Sequence, residues 1–194
     1  MSGKSGGAWR QDRRVTRTRA ALAHALLRLS GTIGLEALTV ADLVREAGIS
    51  RSTFYAHFTG KADFVSRSFA GMIQLCALHD AAGHLLPSRP LALHMAGQRA
   101  FSEAFARWAE FQLVLRAGEV QLRRIALANL AARRPDLAPG DREAAAAFLA
   151  GGLMGLLKSW IESGLGSPPE RIHARYLWLE SGLLAALSPA RLPA

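Results

Sequence analysis

Residues 48–61 read GISRSTFYAHFTGK, a composition that is unusual for the interior of a helix. Hydroxyl, guanidinium, phenol, imidazole and ammonium groups alternate with two phenylalanines, and no acidic residue occurs. On a helix that begins at Ser50, Phe54 and Phe58 lie one turn apart and predict an apolar ridge against neighbouring helices. The polar side chains then face outward, where their donors suit the phosphates and base edges of DNA. An ordinary solvated helix face is the alternative.

The residues around this stretch predict a helix-turn-helix unit over about 39–58. Thr39 is a good N-cap, and Asp42 three residues later resembles the reciprocal partner of a capping pair. Gly48 ends this helix, and Ser50 caps the next one after a three-residue turn. Short helices joined in this way are typical of DNA-binding proteins.

An earlier helix is predicted to begin near Asp12 and to end in the SGTIG segment at residues 30–34. Apolar residues recur on it at helical spacing: Val15, Leu22, Leu26, Leu29 and Ile33. Its first turns carry Arg13, Arg14, Arg17 and Arg19. These arginines either form a solvated basic face or contact phosphate.

The positive charge of the chain is uneven. The formal net charge is +9, and residues 1–70 carry 11 Lys and Arg against 5 Asp and Glu, a surplus of 6. Residues 71–194 carry 13 against 10, a surplus of 3. The amino-terminal third is therefore expected to face a polyanion.

Other functions are disfavoured by what the sequence lacks. Cys76 is the single cysteine, which excludes an intrachain disulfide and argues against a metal cluster. The longest apolar run, residues 144–157, is shorter than the roughly 20 residues of a membrane span, and no secretory signal is recognisable, so a cytoplasmic protein is expected. His79 and His84 do not share a helical face, and neither a GxxxxGK[ST] loop nor a GxSxG turn occurs. We expect no enzyme, no metal and no cofactor.

The stretch LTVADLVREAGISRSTFYAHFTGKADF, residues 38–64, resembles the DNA-binding domain of the TetR family of bacterial transcriptional repressors. The resemblance is carried by the Tyr55–x–His57–Phe58–x–x–Lys61 run after the turn at residues 48–50, and it covers residues 14–74. It implies that Arg51, Ser52 and Thr53 reach bases or nearby phosphates. It also implies that Thr39, Tyr55, His57 and Lys61 contact the DNA backbone. The basic first turns of the earlier helix add Arg13 and Arg17 as further candidates for DNA contacts. Ala56 is small, which leaves the base preference at that position open.

The rest of the chain reads as helices only, which predicts an all-α fold of about nine helices. One runs from Lys61 to about His79, and others are expected at about 90–108, 110–116, 118–133, 141–163 and 168–187. We expect a flexible tail at 1–11, a helix-turn-helix domain at 12–74, and an effector-binding and dimerisation domain at 75–194.

The last two helices suggest self-association. The final helix carries a broad apolar arc that includes Ile172, Tyr176, Leu179 and Leu183. Gly151 and Gly155 lie one turn apart in the preceding helix and allow close approach of another helix, although they could also make room for a ligand or simply be tolerated. A homodimer through a four-helix bundle is the preferred interpretation, and the resemblance implies the same arrangement.

The resemblance further implies an effector pocket within helices four to eight. The side chains that could line it, although most apolar helix residues simply form core, are Met72, Cys76, Phe101, Phe105, Trp108, Phe111, Leu122, Arg123, Met154 and Trp160. This set favours a small hydrophobic ligand.

The expected function is that of a homodimeric transcriptional repressor, which a small ligand releases from a near-palindromic operator. Two alternatives are an architectural DNA-binding protein without an effector and a helical small-molecule-binding protein with a vestigial DNA-binding domain.

Overall fold

The structure, a computed structural model, describes residues 5–80 and 83–187, and of residues 5–14 it describes the backbone alone. Across these ranges the regular structure consists of nine α-helices, as the sequence predicts. Their bounds are α1 Ser5–Ala37, α2 Val40–Glu46, α3 Arg51–Tyr55, α4 Lys61–Leu78, α5 Ser88–Gly97, α6 Arg99–Ala106, α7 Phe111–Arg133, α8 Pro139–Glu162 and α9 Pro169–Ala186.

The first helix begins earlier than expected. α1 starts at Ser5, so the predicted start near Asp12 is wrong. Within these bounds the helix is interrupted in the expected SGTIG segment, because Gly34 leaves the helical conformation with φ 76° and ψ 157°. This positive φ is readily adopted by glycine, and it turns Leu35 and Leu38 into the core, where each is 1% exposed. The division of the chain at residues 11 and 74 stays a prediction.

In the middle of the chain, one expected helix is divided into two and two expected helices are joined into one, so the number of helices stays the same. The helix expected at 90–108 is interrupted at Gln98, with φ −114° and ψ 42°, and forms α5 and α6. The helices expected at 110–116 and 118–133 are instead one helix, α7. Gly118 lies inside α7 and does not end it.

Gly118 allows three helices to approach closely. A Cβ atom at this position would lie 2.4 Å from Cε1 of Phe69 on α4 and 2.8 Å from Cε of Met154 on α8. α4, α7 and α8 are accordingly packed together around this point, and the glycine is required by packing rather than by backbone conformation.

Prolines define the starts of the last two helices. α8 begins at Pro139 rather than Asp141, and α9 begins at Pro169 with Pro168 as its N-cap, one residue later than expected. Proline suits the first helical position because the N–H there has no intrahelical partner.

α8 forms much of the core. It is long and apolar enough to cross a membrane by length and composition, yet 50% of its most apolar window is buried inside the protein. A core helix of a folded domain has these same properties.

A matched pair of glycine substitutions tests the packing at α7. Gly118→Ala is expected to lower the free energy of unfolding by about 1 kcal/mol, because the clash with the Phe69 ring exceeds the gain in helix propensity. Gly71→Ala on α4 is expected to raise it by about 0.5–1 kcal/mol, since its Cβ would meet nothing within 4 Å. Urea unfolding at one fixed protein concentration measures both values. Equal effects of the two substitutions would contradict this role of Gly118.

Candidate nucleic-acid interface

The helix that the sequence singles out, α3, has only five residues and is held by aromatic packing. Phe54 is 0% exposed and Phe58 3%, so both point inward. Their ring centroids lie 5.4 Å apart, and each ring contacts Phe64 of α4, at 6.0 Å from Phe54 and 5.0 Å from Phe58. The apolar ridge expected from the sequence thus fixes α3 against α4.

Hydroxyl groups organise the start of α3. Oγ of Ser50 accepts a hydrogen bond from the Thr53 amide at 3.1 Å, the N-cap contact expected from the sequence. The same oxygen lies 2.8 Å from Oγ of Ser52 and 2.8 Å from Oγ1 of Thr53. Ser52 and Thr53 are thereby oriented by the cap, and each hydroxyl keeps acceptor or donor capacity for one further partner.

The start of α2 is closed by the predicted capping pair. Oγ1 of Thr39 accepts from the Asp42 amide at 3.2 Å, and the Asp42 carboxylate accepts from the Thr39 amide at 3.1 Å and from its hydroxyl at 2.6 Å. These bonds from Thr39 hold the pKa of Asp42 below its ordinary value. Both donors of Thr39 are therefore engaged, and a phosphate contact by Thr39 stays a prediction.

Three side chains on and after α3 present donors outward. Arg51 and Tyr55 are exposed, Tyr55 by 57%, and His57 is half-buried. Among the described residues, none of the three side chains has a hydrogen-bond or ion-pair partner. They combine guanidinium, phenol and imidazole groups on one short segment, which suits contact with phosphates and base edges.

The arginines of α1 are partly described. Arg17 is exposed, and no ion pair to it occurs in the part of the chain whose side chains are described. Arg13 lies outside the residues whose side chains are described. Their expected DNA contacts stay predictions.

Negative charge near this face is bound to local partners. Asp42 accepts from Arg45 at 2.5 Å, and Glu46 pairs with Arg28 at 3.0 Å. Two further acids cap backbone amides: Asp63 accepts from the Thr59 amide at 2.9 Å, and Glu36 accepts from the Ala109 amide at 3.2 Å. Because each described acid from residue 15 to residue 70 has such a partner, the unpaired arginines dominate the local charge.

Lys61 has a structural role that the sequence did not reveal. Its ammonium donates to the carbonyl oxygens of Leu35 and Glu36, at 2.7 Å and 3.2 Å, at the end of α1. It also lies 5.3 Å from the centroid of the Trp108 ring. One of the three N–H donors of the ammonium group remains for a phosphate. The DNA contact of Lys61 therefore stays a prediction, in addition to its observed capping of α1.

Arg67 also has a structural role that the sequence did not reveal. Its guanidinium donates to Asp63 at 2.9 Å and to the His57 carbonyl at 3.3 Å, and it lies 5.9 Å from the Phe58 ring centroid. It therefore ties α4 to the segment that follows α3. An arginine nine residues after a phenylalanine carries no recognisable sequence signal for such a contact.

A cavity of about 730 Å³ lies between α1, α4, α5 and α6. Of the residues expected to line an effector pocket, Met72, Phe101 and Phe105 lie in its wall. Residues of α1 such as Ala20 and Ala23 also line it, although the sequence analysis placed the pocket among later helices.

The other expected pocket residues lie elsewhere. Arg123 is exposed and pairs with Glu143 at 3.0 Å. Cys76 is half-buried with its sulfur 3.6 Å from that of Met72, and burial raises the pKa of the Cys76 thiol to about 11. The remaining five are buried core side chains: Trp108, Phe111, Leu122, Met154 and Trp160. That any of these residues binds an effector stays a prediction.

The six residues expected at a dimer interface are separated by the fold. Ile172 and Tyr176, each 2% exposed, belong to the core of the protomer, which corrects their expected place on a partner surface. α9 packs against α5, and its half-buried Leu183 also packs against the core. Leu179 is 44% exposed, and Gly155 is exposed with open space at its Cβ position. At Gly151 a Cβ atom would lie 3.7 Å from Oε1 of Glu119.

Residues 22–67 match the family model described as bacterial regulatory proteins, tetR family. A search of curated proteins found no match.

Solved structures share the fold. A protein from Syntrophomonas wolfei, described as a TetR-family transcriptional regulator, is 15% identical with a TM-score of 0.64, and the match covers 90% of this chain and 98% of that one. The dihydroxyacetone kinase operon activator DhaS is 14% identical, with a TM-score of 0.61 over 86% and 95%. A TetR transcriptional regulator from Streptococcus agalactiae is 21% identical, with a TM-score of 0.51 over 89% and 98%. At these identities the likeness establishes the fold.

The observed cap by Lys61 generates a stability test. Lys61→Gln is expected to lower the free energy of unfolding by about 1.5–3 kcal/mol, because hydrogen bonds from a charged donor to two carbonyl oxygens are lost. The control Arg17→Gln removes an exposed charge and is expected to stay within about 0.5 kcal/mol of the parent protein. Chemical unfolding followed by circular dichroism measures the difference. A Lys61→Gln protein as stable as the control would refute the capping role.

Proposed function

We propose that this chain, whose residues 22–67 match the model of the tetR family of bacterial regulatory proteins, is a member of that family and acts as a homodimeric transcriptional repressor that a small ligand releases from its operator. Members of this family are transcriptional regulators rather than enzymes. The observation that carries the proposal is the array of Arg51 and Tyr55 on α3 and of His57 just after it, on a segment anchored by the buried rings of Phe54 and Phe58. Such a regulator acts on chromosomal DNA, so we place it in the cytoplasm.

The array supports sequence-specific reading of a major groove. Arg51 can donate two parallel hydrogen bonds to O6 and N7 of a guanine, the commonest specific contact of an arginine. Tyr55 and His57 follow on the same segment and suit backbone phosphates, which fix the orientation of the helix. Their separation into base-reading and positioning roles is part of the proposal.

A dimer is supported by an exposed apolar strip on each of the last two helices, which contact each other. On α8, Phe148 is 65% exposed, and Gly152 and Gly155 follow on the same face with open space at their Cβ positions. On α9, Trp178 is 74% exposed and lies beside Leu179. Surface of this kind is normally covered in a soluble protein, and small residues let a partner helix approach closely.

Two-fold symmetry then determines the form of the operator. The α3 helices of a dimer fit successive major grooves about 34–36 Å apart and read a near-palindrome. The ligand acts by binding more tightly to the DNA-incompetent arrangement of the two subunits. One solved structure with this fold is described as an operon activator, so a reporter assay has to register either sign of regulation.

Selection of bound duplexes from a random DNA library tests the DNA-reading proposal. A near-palindromic site is expected, and Arg51→Ala is expected to weaken binding to it by about 1–3 kcal/mol while relaxing the preference at one position of each half-site. Arg116→Ala, which removes an exposed arginine of α7, is the matched control and is expected to leave the selected site unchanged. Salt-sensitive binding without any enriched sequence would instead indicate an architectural DNA-binding protein.

Sedimentation equilibrium of Gly155→Leu tests the proposed dimer. Leucine finds open space within the protomer and improves helix propensity, so the substituted protein is expected to fold but to dissociate into monomers. Ala132→Leu adds similar bulk at an exposed position of α7, and this protein is expected to remain dimeric. A dimeric Gly155→Leu protein would place the interface on another surface.

A further inference from the structure

We propose that the cavity between α1, α4, α5 and α6 binds a single-chain amphipathic carboxylate, with its apolar chain inside the cavity and its carboxylate on Arg19. The regulatory consequence of this binding rests on the proposed function.

The size and lining of the cavity suit a hydrocarbon chain. Its volume of about 730 Å³ lies within the range of about 300–1,000 Å³ that is typical of small-molecule sites. Ala20, Ala23 and Leu27 of α1 form one wall, and Phe69 and Met72 of α4 form the opposite wall. Small side chains on α1 leave the space, and large apolar side chains on α4 provide the contacts.

The charges at the cavity favour an anion. Two arginines, Arg19 and Arg67, lie in its lining, and none of the aspartates or glutamates whose side chains are described does. Arg67 already donates to Asp63 and to the His57 carbonyl. Arg19 is exposed and has no partner among the described residues, so its guanidinium is available for two parallel bonds to a carboxylate. A cationic ligand would meet the guanidinium of Arg19, which has no counter-charge among the described residues.

This site differs from the pocket that the sequence analysis expected. Trp108, Leu122 and Met154 are at most 5% exposed and pack in the core. The packing there is close enough that a single added carbon at Gly118 would lie 2.4 Å from the Phe69 ring. The space for a ligand lies instead on the other side of α4, against α1.

The position of the cavity gives a short route to the DNA-reading segment. Phe58, which packs against Phe54 of α3 at a centroid distance of 5.4 Å, also lines the cavity. Arg67 lines it as well and is bonded to the backbone of His57. A chain inserted between α1 and α4 therefore touches the residues that orient α3. If the two arrangements of α3 differ in ligand affinity, bound ligand and bound DNA oppose each other by linkage.

Three probes of equal chain length test the chemistry of the site: decanoate, decanol and decyltrimethylammonium. Isothermal titration of the full chain without DNA measures their affinities, below the micellar concentrations of the two ionic probes and below the solubility limit of decanol. Decanoate is expected to bind about ten-fold or more tightly than the cation, since a charge-assisted bond to Arg19 contributes at that level. Absence of decanoate binding overturns the proposal.

Two matched pairs of variants locate the site. Gly71 lines the cavity and its Cβ would meet nothing within 4 Å, so Gly71→Phe is expected to abolish decanoate binding and Gly71→Ala to preserve it. Arg19→Gln is expected to weaken the binding of decanoate about ten-fold and to leave the binding of decanol unchanged. Arg116→Gln is expected to change the affinity for neither probe. Circular dichroism confirms that each variant is folded.

The outcomes separate this inference from the proposed function. Decanoate binding that survives Gly71→Phe, or that is unaffected by Arg19→Gln, shows that the carboxylate is not bound as proposed. Since the titrations contain no DNA, they can succeed even when no operator is found. Conversely, an operator can be found for a protein that binds none of the probes. Once an operator and decanoate binding are both established, decanoate is expected to weaken operator binding by the parent protein and not by the Gly71→Phe protein.

Discussion

The packing of Phe54, Phe58 and Phe64 is the interaction on which the DNA-reading part of the structure depends. A helix of five residues is too short to be stable in water by itself, so α3 persists because its aromatic ridge is buried against α4. This packing also determines which side chains are left outside. With two phenylalanines inside, Arg51 and Tyr55 project from a helix that cannot rotate without exposing the ridge, and His57 follows just after this helix.

The polar residues of this region fall into two groups that the sequence alone does not separate. Thr39, Ser50 and Lys61 complete helix ends, because their hydroxyl or ammonium groups bond to backbone atoms. Arg51 and Tyr55 have no such partner in the described part of the chain and remain for an external one. Both groups are expected in the same motif, since a helix that reads DNA has to be capped as well as to present donors.

The sequence predicts most strongly where local chemistry decides the structure. The capping pair of Thr39 and Asp42 and the Ser50 cap depend on residues three apart, and both are found as expected. What depends on distant packing was missed. The predicted interruption between residues 116 and 118 does not occur, and Gly118 is a contact point inside α7. Ile172 and Tyr176 of the apolar arc of α9 face the core of their own protomer. The sequence also predicted the wrong position for the cavity. The apolar residues of a helix do not reveal at which of them a neighbouring helix stands far enough away to leave space.

The central claim is that the outward face of α3 enters the major groove in two symmetry-related half-sites. Methylation interference at guanine N7, which lies in the major groove, tests it most directly on a selected duplex. We predict two clusters of guanines whose methylation prevents binding, centred about one helical turn, 10–10.5 base pairs, apart and related by two-fold symmetry. Binding that tolerates methylation at every guanine, or a single cluster without a symmetric counterpart, would contradict the claim.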